Sequence, residues 1–202
     1  DVLIYNDRAR FVVRGVRPGH FYMGYPGSLI DIDVVRPDGQ PDADAVDDLA
    51  TMVGLPRLFG AERVEVVHDG ADGGEAVVRA EGTDVTFEFM EGAVESPGLF
   101  APRGVAIVQT FTLAPGSPLL RLTTEVTNTT DEALALDVLD AGMVDLASVT
   151  GFVPGAGFEG EAPPSGRTMM AMVGHRNELA IAVFRDDGNL PATVQAYEGA
   201  TP

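Results

Sequence analysis

The stretch PLLRLTTEVTNTTDEALALDV, Pro118 to Val138, carries the clearest structural signal in the chain. Leu120, Leu122, Thr124 and Val126 alternate with Arg121, Thr123 and Glu125. The polar run NTTDE interrupts, and alternation resumes at Leu134, Leu136 and Val138. Two period-2 runs around a polar turn predict a β-hairpin with one apolar face.

The same pattern recurs on both sides of it. ERVEVVHD, EAVVRAEG, DVTFEFMEG, VAIVQTFTLAPG, TMMAMVG, ELAIAVFRDDG and ATVQAY all read as strands. Gly and Pro separate them at intervals close to those of an all-β sandwich. LAIAVF is apolar on both faces, which predicts a central strand. The Gly- and Pro-rich region from Ala147 to Arg167 predicts a long loop. Near the start, DVLIYND and ARFVVRG read as two short strands around an Asn6-Asp7 turn. LIDIDVV follows as a strand with Asp31 and Asp33 on one face. One short helix is expected near residues 43–53, where Ala43, Val46, Leu49, Ala50 and Val53 recur at helical spacing. Asp42 or Asp44 would cap it, and Gly54 and Pro56 would stop it. The expected fold is a mostly β, antiparallel β-sandwich forming a single domain over residues 1–202. A chain that opens on Asp1 and closes on YEGATP is expected to be a segment of a longer one.

Composition narrows the partners. With 202 residues and 45% hydrophobic content, the chain can fill a sizeable core. Its 13 basic residues are all arginine, against 31 acidic ones, for a net charge of −18. Such a polyanion repels phosphate backbones and anionic lipid, so no nucleic-acid partner is expected. No apolar run approaches the roughly 18 residues of a bilayer span, so no membrane-spanning segment is expected. The absence of cysteine removes disulfides, thiolate metal sites and cysteine nucleophiles together.

Several residues could carry chemistry. His20 stands among Phe21, Tyr22 and Tyr25 in PGHFYMGYPG. Aromatic rings beside a histidine suit a sugar-binding cleft, where rings take C–H faces and polar tips fix hydroxyls, and they suit a local mini-core equally well. His175 is followed by Arg176, Asn177 and Glu178 at the mouth of an apolar strand. In an enzyme, His20 or His175 would be the acid/base and Glu178 its partner. His68 shares a face with Val64 and Val66, which suits a place at the sandwich surface or as a hydrogen-bonded core residue better than the role of a base. Asp69, Asp72 and Glu75 in DGADGGE offer oxygen ligands and tight-turn glycines that Ca2+ would accept, or they form an acidic hairpin turn. No HExxH, G-x-S-x-G or P-loop motif is present.

LLRLTTEVTNTTDEALALDV is similar to the strand-turn-strand of galactose-mutarotase-like β-supersandwich domains, where V-T-N-x-[ST] closes one long strand. YNDRARFVV, GSLIDIDVV and FVPGAGFEG resemble the N-terminal β-rich region of bacterial exported proteins that carry a downstream PHP-type metallohydrolase domain. These resemblances imply a β-sandwich of ten or more strands in a secreted, periplasmic or cell-surface protein. Mutarotases set paired histidines and a late glutamate around the sugar ring. Their Asn-His-x-x-[FW]-N motif has no counterpart here, so the resemblance assigns no catalytic residue.

Three functions remain open on this reading. The first is a non-catalytic module that binds carbohydrate through His20, Phe21, Tyr22, Tyr25 and Arg176. The second is a structural or assembly subunit pairing with another protein, with Ca2+ at Asp69, Asp72 and Glu75. The third is a mutarotase-like sugar epimerase or lyase.

Overall fold

The computed structural model describes residues 1–17, 24–37, 46–91, 97–144, 149–153, 157–158, 169–174 and 180–184. The chain is mostly β and antiparallel, and its contacts divide it into two compact units, Asp1–Met143 and Val144–Pro202.

The first unit is a meander whose strands pair in chain order. They are β1 (Val2–Tyr5), β2 (Ala9–Val13), β3 (Leu29–Val34), β4 (Val46–Val53), β5 (Arg57–Asp69), β6 (Ala76–Thr86), β7 (Val105–Leu113) and β8 (Leu120–Asn128). A ninth strand, β9 (Val138–Val144), pairs with β4. The ladders are long from β5 to β8 and brief on either side of β4 among the described residues. β6 pairs with β7, and β7 with β8, along most of their lengths. β3 meets β4 at Leu29↔Leu49, and β4 meets β5 at Met52↔Leu58. Those brief pairings are the corners at which the sheet folds over, so that β1 comes to lie against β6.

Folding the sheet lets one face bury itself. Ile4, Phe11, Val13 and Leu29 from the early strands share a core with Phe59, Val78, Ala80, Ile107 and Phe111 from the later ones. At one end the β1–β2 turn clamps the two layers together. The Asn6 side-chain amide donates to the carbonyls of Ala114 (2.9 Å) and Ser117 (2.7 Å), while its oxygen accepts the N–H groups of Arg8 and Ala9. The turn chemistry expected of Asn6 thus has a second use, joining elements more than a hundred residues apart.

The stretch from Pro118 to Val138 departs from the predicted hairpin. Its first half is β8, paired along its whole length with β7. Its second half does not return beside β8. Asn128 closes a local turn through Thr130 and the Glu132 carbonyl, residues 129–137 form no strand, and β9 pairs with β4 instead. Leu136 packs against the core, and the Asp137 carbonyl accepts the Gly54 N–H at 2.8 Å. Of the apolar residues after NTTDE, Leu136 meets the core while Leu134 stays exposed, and neither pairs with β8. A polar chain, buried at Thr51 and Gln109 and exposed at Asp140, joins β9 to its destination. Gln109 Nε2 donates to Thr51 Oγ1 (2.5 Å) and Thr124 Oγ1 (3.2 Å), and the Thr51 hydroxyl donates to Asp140. This chain spans β9, β4, β7 and β8, and any other placement of β9 would take Asp140 away from Thr51.

The helix expected near 43–53 is also corrected: residues 46–53 are strand β4, and residues 43–45 lie outside the described residues. Leu49 and Val53 join the main core, whereas Ala50 and Met52 join a second cluster with Leu58. A strand with both faces buried places apolar residues at i, i+3, i+4 and i+7 by coincidence, and imitates the helical spacing.

Three smaller corrections follow the same logic. EAVVRAEG and the start of DVTFEFMEG are one strand, β6, that continues through Gly82 and ends at Thr86; Glu88–Glu91 is a helical turn, α1. The expected loop from Ala147 to Arg167 contains β10 (Val149–Val153) and β11 (Gly157–Phe158). These belong to the second unit's sheet, ordered β11, β10, β12 (Met169–Gly174), β13 (Ala180–Phe184). β13, expected to be central, stands last in that order among the described residues. ATVQAY lies outside the described residues. No described helix is long and apolar enough to cross a membrane.

Candidate functional site

Within the first unit, a groove of about 480 Å3 opens where β5 bends. The bend has a local cause. β5 and β6 approach closely around Gly60 and Gly82, and the register shifts between Ala61 and Arg63, a β-bulge. A Cβ on Gly82 would stand 2.1 Å from the Gly60 carbonyl oxygen, and one on Gly60 would stand 2.7 Å from the Val85 side chain. Only glycine permits this contact. Pro26 then lies on the bent strand, its carbonyl accepting the Ala61 N–H at 2.8 Å. Gly27, at φ +89°, follows with no room for a side chain beneath Phe59.

Tyr25 is one wall of the groove. Its hydroxyl donates to the Thr86 carbonyl and accepts the Glu88 N–H, each at 3.0 Å, and its ring packs against the Ala50, Met52 and Leu58 cluster. Pro26, Ala61 and Val85 add apolar surface; Thr83 and Thr86 add hydroxyls; Glu62 and Glu88 add exposed carboxylates at the rim. The wall at Thr86 is held from behind by a buried ion pair. Arg57 Nε donates to Asp84 Oδ2 at 2.7 Å, and its other nitrogens reach Thr86 Oγ1 (2.6 Å), the Phe100 carbonyl (2.8 Å) and the Asp84 carbonyl (2.5 Å). Asp84 also accepts the Arg103 N–H at 2.8 Å. With both side chains almost fully buried and several partners each, the pair fixes the ends of β5 and β6. The result is a groove whose lining combines aromatic and aliphatic surface with hydroxyl and carboxylate groups.

Of the residues singled out from sequence, Tyr25 lies in this groove. His20, Phe21, Tyr22, His175, Arg176 and Glu178 lie outside the described residues. Asp69, Asp72 and Glu75 occupy the β5–β6 turn. There Asp69 accepts the Ala71 N–H at 3.0 Å and Asp72 accepts the Gly74 N–H at 2.8 Å. His68 Nε2 lies 3.4 Å from the second oxygen of Asp72, and its Nδ1 lies 2.7 Å from the Glu75 carbonyl. Among the described residues no group of three or more His, Asp and Glu side chains converges as a cation cage. The His68 pKa is raised, first by the Glu75 carbonyl and then by the Asp72 charge, and the Asp72 pKa is lowered, chiefly by the Gly74 N–H. Elsewhere, burial and the neighbouring Asp33 raise the Asp31 carboxyl, while Asp33 itself accepts from Arg10 and Arg36 at 2.9 Å each.

Glu62, Thr83, Val85, Thr86 and Glu88 did not emerge as site residues from sequence. The available signal was the pair of glycines at 60 and 82 inside otherwise regular strands, which marks a bulge or a close backbone approach. Compared with protein-family models, curated proteins and solved structures, the chain has no match in any of the three.

Proposed function

We propose that this chain is a non-catalytic β-sandwich module of an exported bacterial protein, and that it binds carbohydrate in the groove beside Tyr25. The groove's composition carries the reading: an aromatic ring with Pro26 and Val85, together with hydroxyl and carboxylate groups, in one lining. A sugar presents the same two surfaces, C–H faces that lie on rings and hydroxyls that donate to carboxylates. A neutral ligand also suits an acidic chain, which would repel anionic ones. The exported setting rests on the resemblance of YNDRARFVV, GSLIDIDVV and FVPGAGFEG.

The test is a thermal-shift and calorimetric titration of the whole chain against neutral mono- and oligosaccharides. A ligand at a hundredfold excess over its Kd should stabilise the fold by about 2.7 kcal/mol. Tyr25→Ala and Glu62→Gln should each remove that stabilisation, while Tyr25→Phe keeps the ring and most of the binding. No shift with any sugar, or a shift that Tyr25→Ala leaves intact, would overturn the proposal.

A further inference from the structure

The end of the sheet formed by β8 differs from its other exposed edges, and the difference points to a partner. β1, at the opposite end of the path, is four residues long. The outer half of β5 is interrupted by register shifts at Ala61/Arg63 and at Val66/His68. Short strands and bulges are the usual protection against edge-to-edge pairing. β8 has neither. It runs for nine residues in unbroken register with β7, with no Pro or Lys, and among the described residues no strand pairs with its outer edge. Its core-side residues Leu120, Leu122 and Val126 are only half-buried, although they pack against the core. On the other face Arg121, Thr123, Glu125 and Thr127 are exposed.

The order of those side chains selects the occupant. An antiparallel strand laid against β8 about a two-fold axis at Thr123 pairs residue 123 with itself, 122 with 124, 121 with 125 and 120 with 126. With a second copy of β8, each Arg121 then faces a Glu125, and each Leu120 faces a Val126. Both faces are complementary in one register, because the strand carries opposite charges at equal distances from Thr123. We propose that two copies of this chain associate by antiparallel β8–β8 pairing about a two-fold axis through Thr123, joining their sheets into one. The interface is isologous, so it closes at a dimer and leaves no β8 edge for further growth. The proposal stands independently of the groove.

Each copy carries −18 net charge, so whole-molecule repulsion opposes association and added salt should strengthen it. Sedimentation velocity of the full chain at physiological and at raised ionic strength is expected to show a dimer. Arg121→Glu opposes two carboxylates and Glu125→Arg opposes two guanidinium groups, so each should shift the protein to monomer. The double variant Arg121→Glu/Glu125→Arg restores opposite charges across the axis and should restore the dimer. Circular dichroism of each variant checks that the monomer is folded.

A second measurement uses the absence of native cysteine. Directly opposed antiparallel residues have Cα atoms about 4.5–5.5 Å apart, within disulfide range. Thr123→Cys should therefore oxidise to a covalent dimer, while Thr127→Cys, displaced from the axis, should not. A wild-type monomer at every salt concentration, a dimer indifferent to both single reversals, or equal cross-linking at 123 and 127 would each overturn the proposal.

Discussion

β7 and β8 are neighbours of equal length with the same alternation, yet they are buried to different depths. β7 alternates between buried and half-buried, with Val105, Ile107, Phe111 and Leu113 all nearly inaccessible. β8 alternates between half-buried and exposed. Periodicity does not separate them, since VAIVQTFTL and LRLTTEVTN share the period-2 pattern, although β8 carries Arg121 and Glu125 where β7 has no charge. The number of paired neighbours does: among the described residues β7 has a strand on each side and β8 on one. Alternation reports which face a residue takes, and position in the sheet decides how much surface that face removes from water.

Phe111 and Leu122 stand opposite each other across the ladder and measure this difference directly. Phe111→Ala should cost about 3–5 kcal/mol, as for a fully buried aromatic. Leu122→Ala, half-buried to begin with, should cost only about 1 kcal/mol in an isolated monomer. Urea denaturation with matched m-values would compare them, and equal costs would break the contrast between centre and edge. If β8 pairs with a second copy, the Leu122→Ala cost should rise with protein concentration, which sharpens the contrast instead.

A smaller effect is expected at the polar exception in β7. Gln109 is 3% exposed and is the polar residue in that strand's core-facing row. Gln109→Leu keeps the volume but withdraws donors from Thr51 and Thr124, and should cost about 1–3 kcal/mol. If the Asp140–Thr51–Gln109–Thr124 chain guides β9 to β4, hydrogen exchange should also rise in β9 before it rises in β6 or β7. A variant as stable and as protected as the parent would show that apolar packing alone places β9.

The smallest effect lies at the exposed β5–β6 turn. Protonated His68 can donate through Nδ1 to the Glu75 carbonyl, whereas the neutral ring accepts the Gly70 N–H there at 3.1 Å. Its folded pKa is raised, so its stabilisation is complete below the unfolded value of about 6.5 and is lost as pH rises through the folded pKa. The lowered pKa of Asp72 acts in the opposite sense. Its contribution is present above the unfolded value and is lost as pH falls through the folded one. The pair therefore acts between the two folded values. An NMR titration of His68 should give a pKa above about 6.5, and Asp72→Asn should lower it without abolishing the shift, because the Glu75 carbonyl remains.

Local patterning was enough to identify β1, β2, β3, β7 and β8, the Asn6-Asp7 turn, the acidic turn at Asp69–Glu75, and the antiparallel, mostly β class. In each, the period-2 signal or the turn chemistry arises within a few residues of where it acts. Tyr25 was recognised for its aromatic character, but the groove around it was not. Glu62, Thr83 and Glu88 meet Tyr25 because Gly60, Gly82 and the bulge bend β5 towards Pro26, and no spacing along the chain encodes that approach. The same limit accounts for β4 and for residues 129–137. Apolar residues at helical spacing in β4 serve two faces of one strand, and in the run through Leu134 and Leu136 only Leu136 reaches the core. Sequence by itself therefore determined the class of the fold, its acidity, and which side of most strands faces the core. Tertiary structure decided which strands are central, where β9 docks and which side chains share the groove, because each depends on contacts between residues distant along the chain.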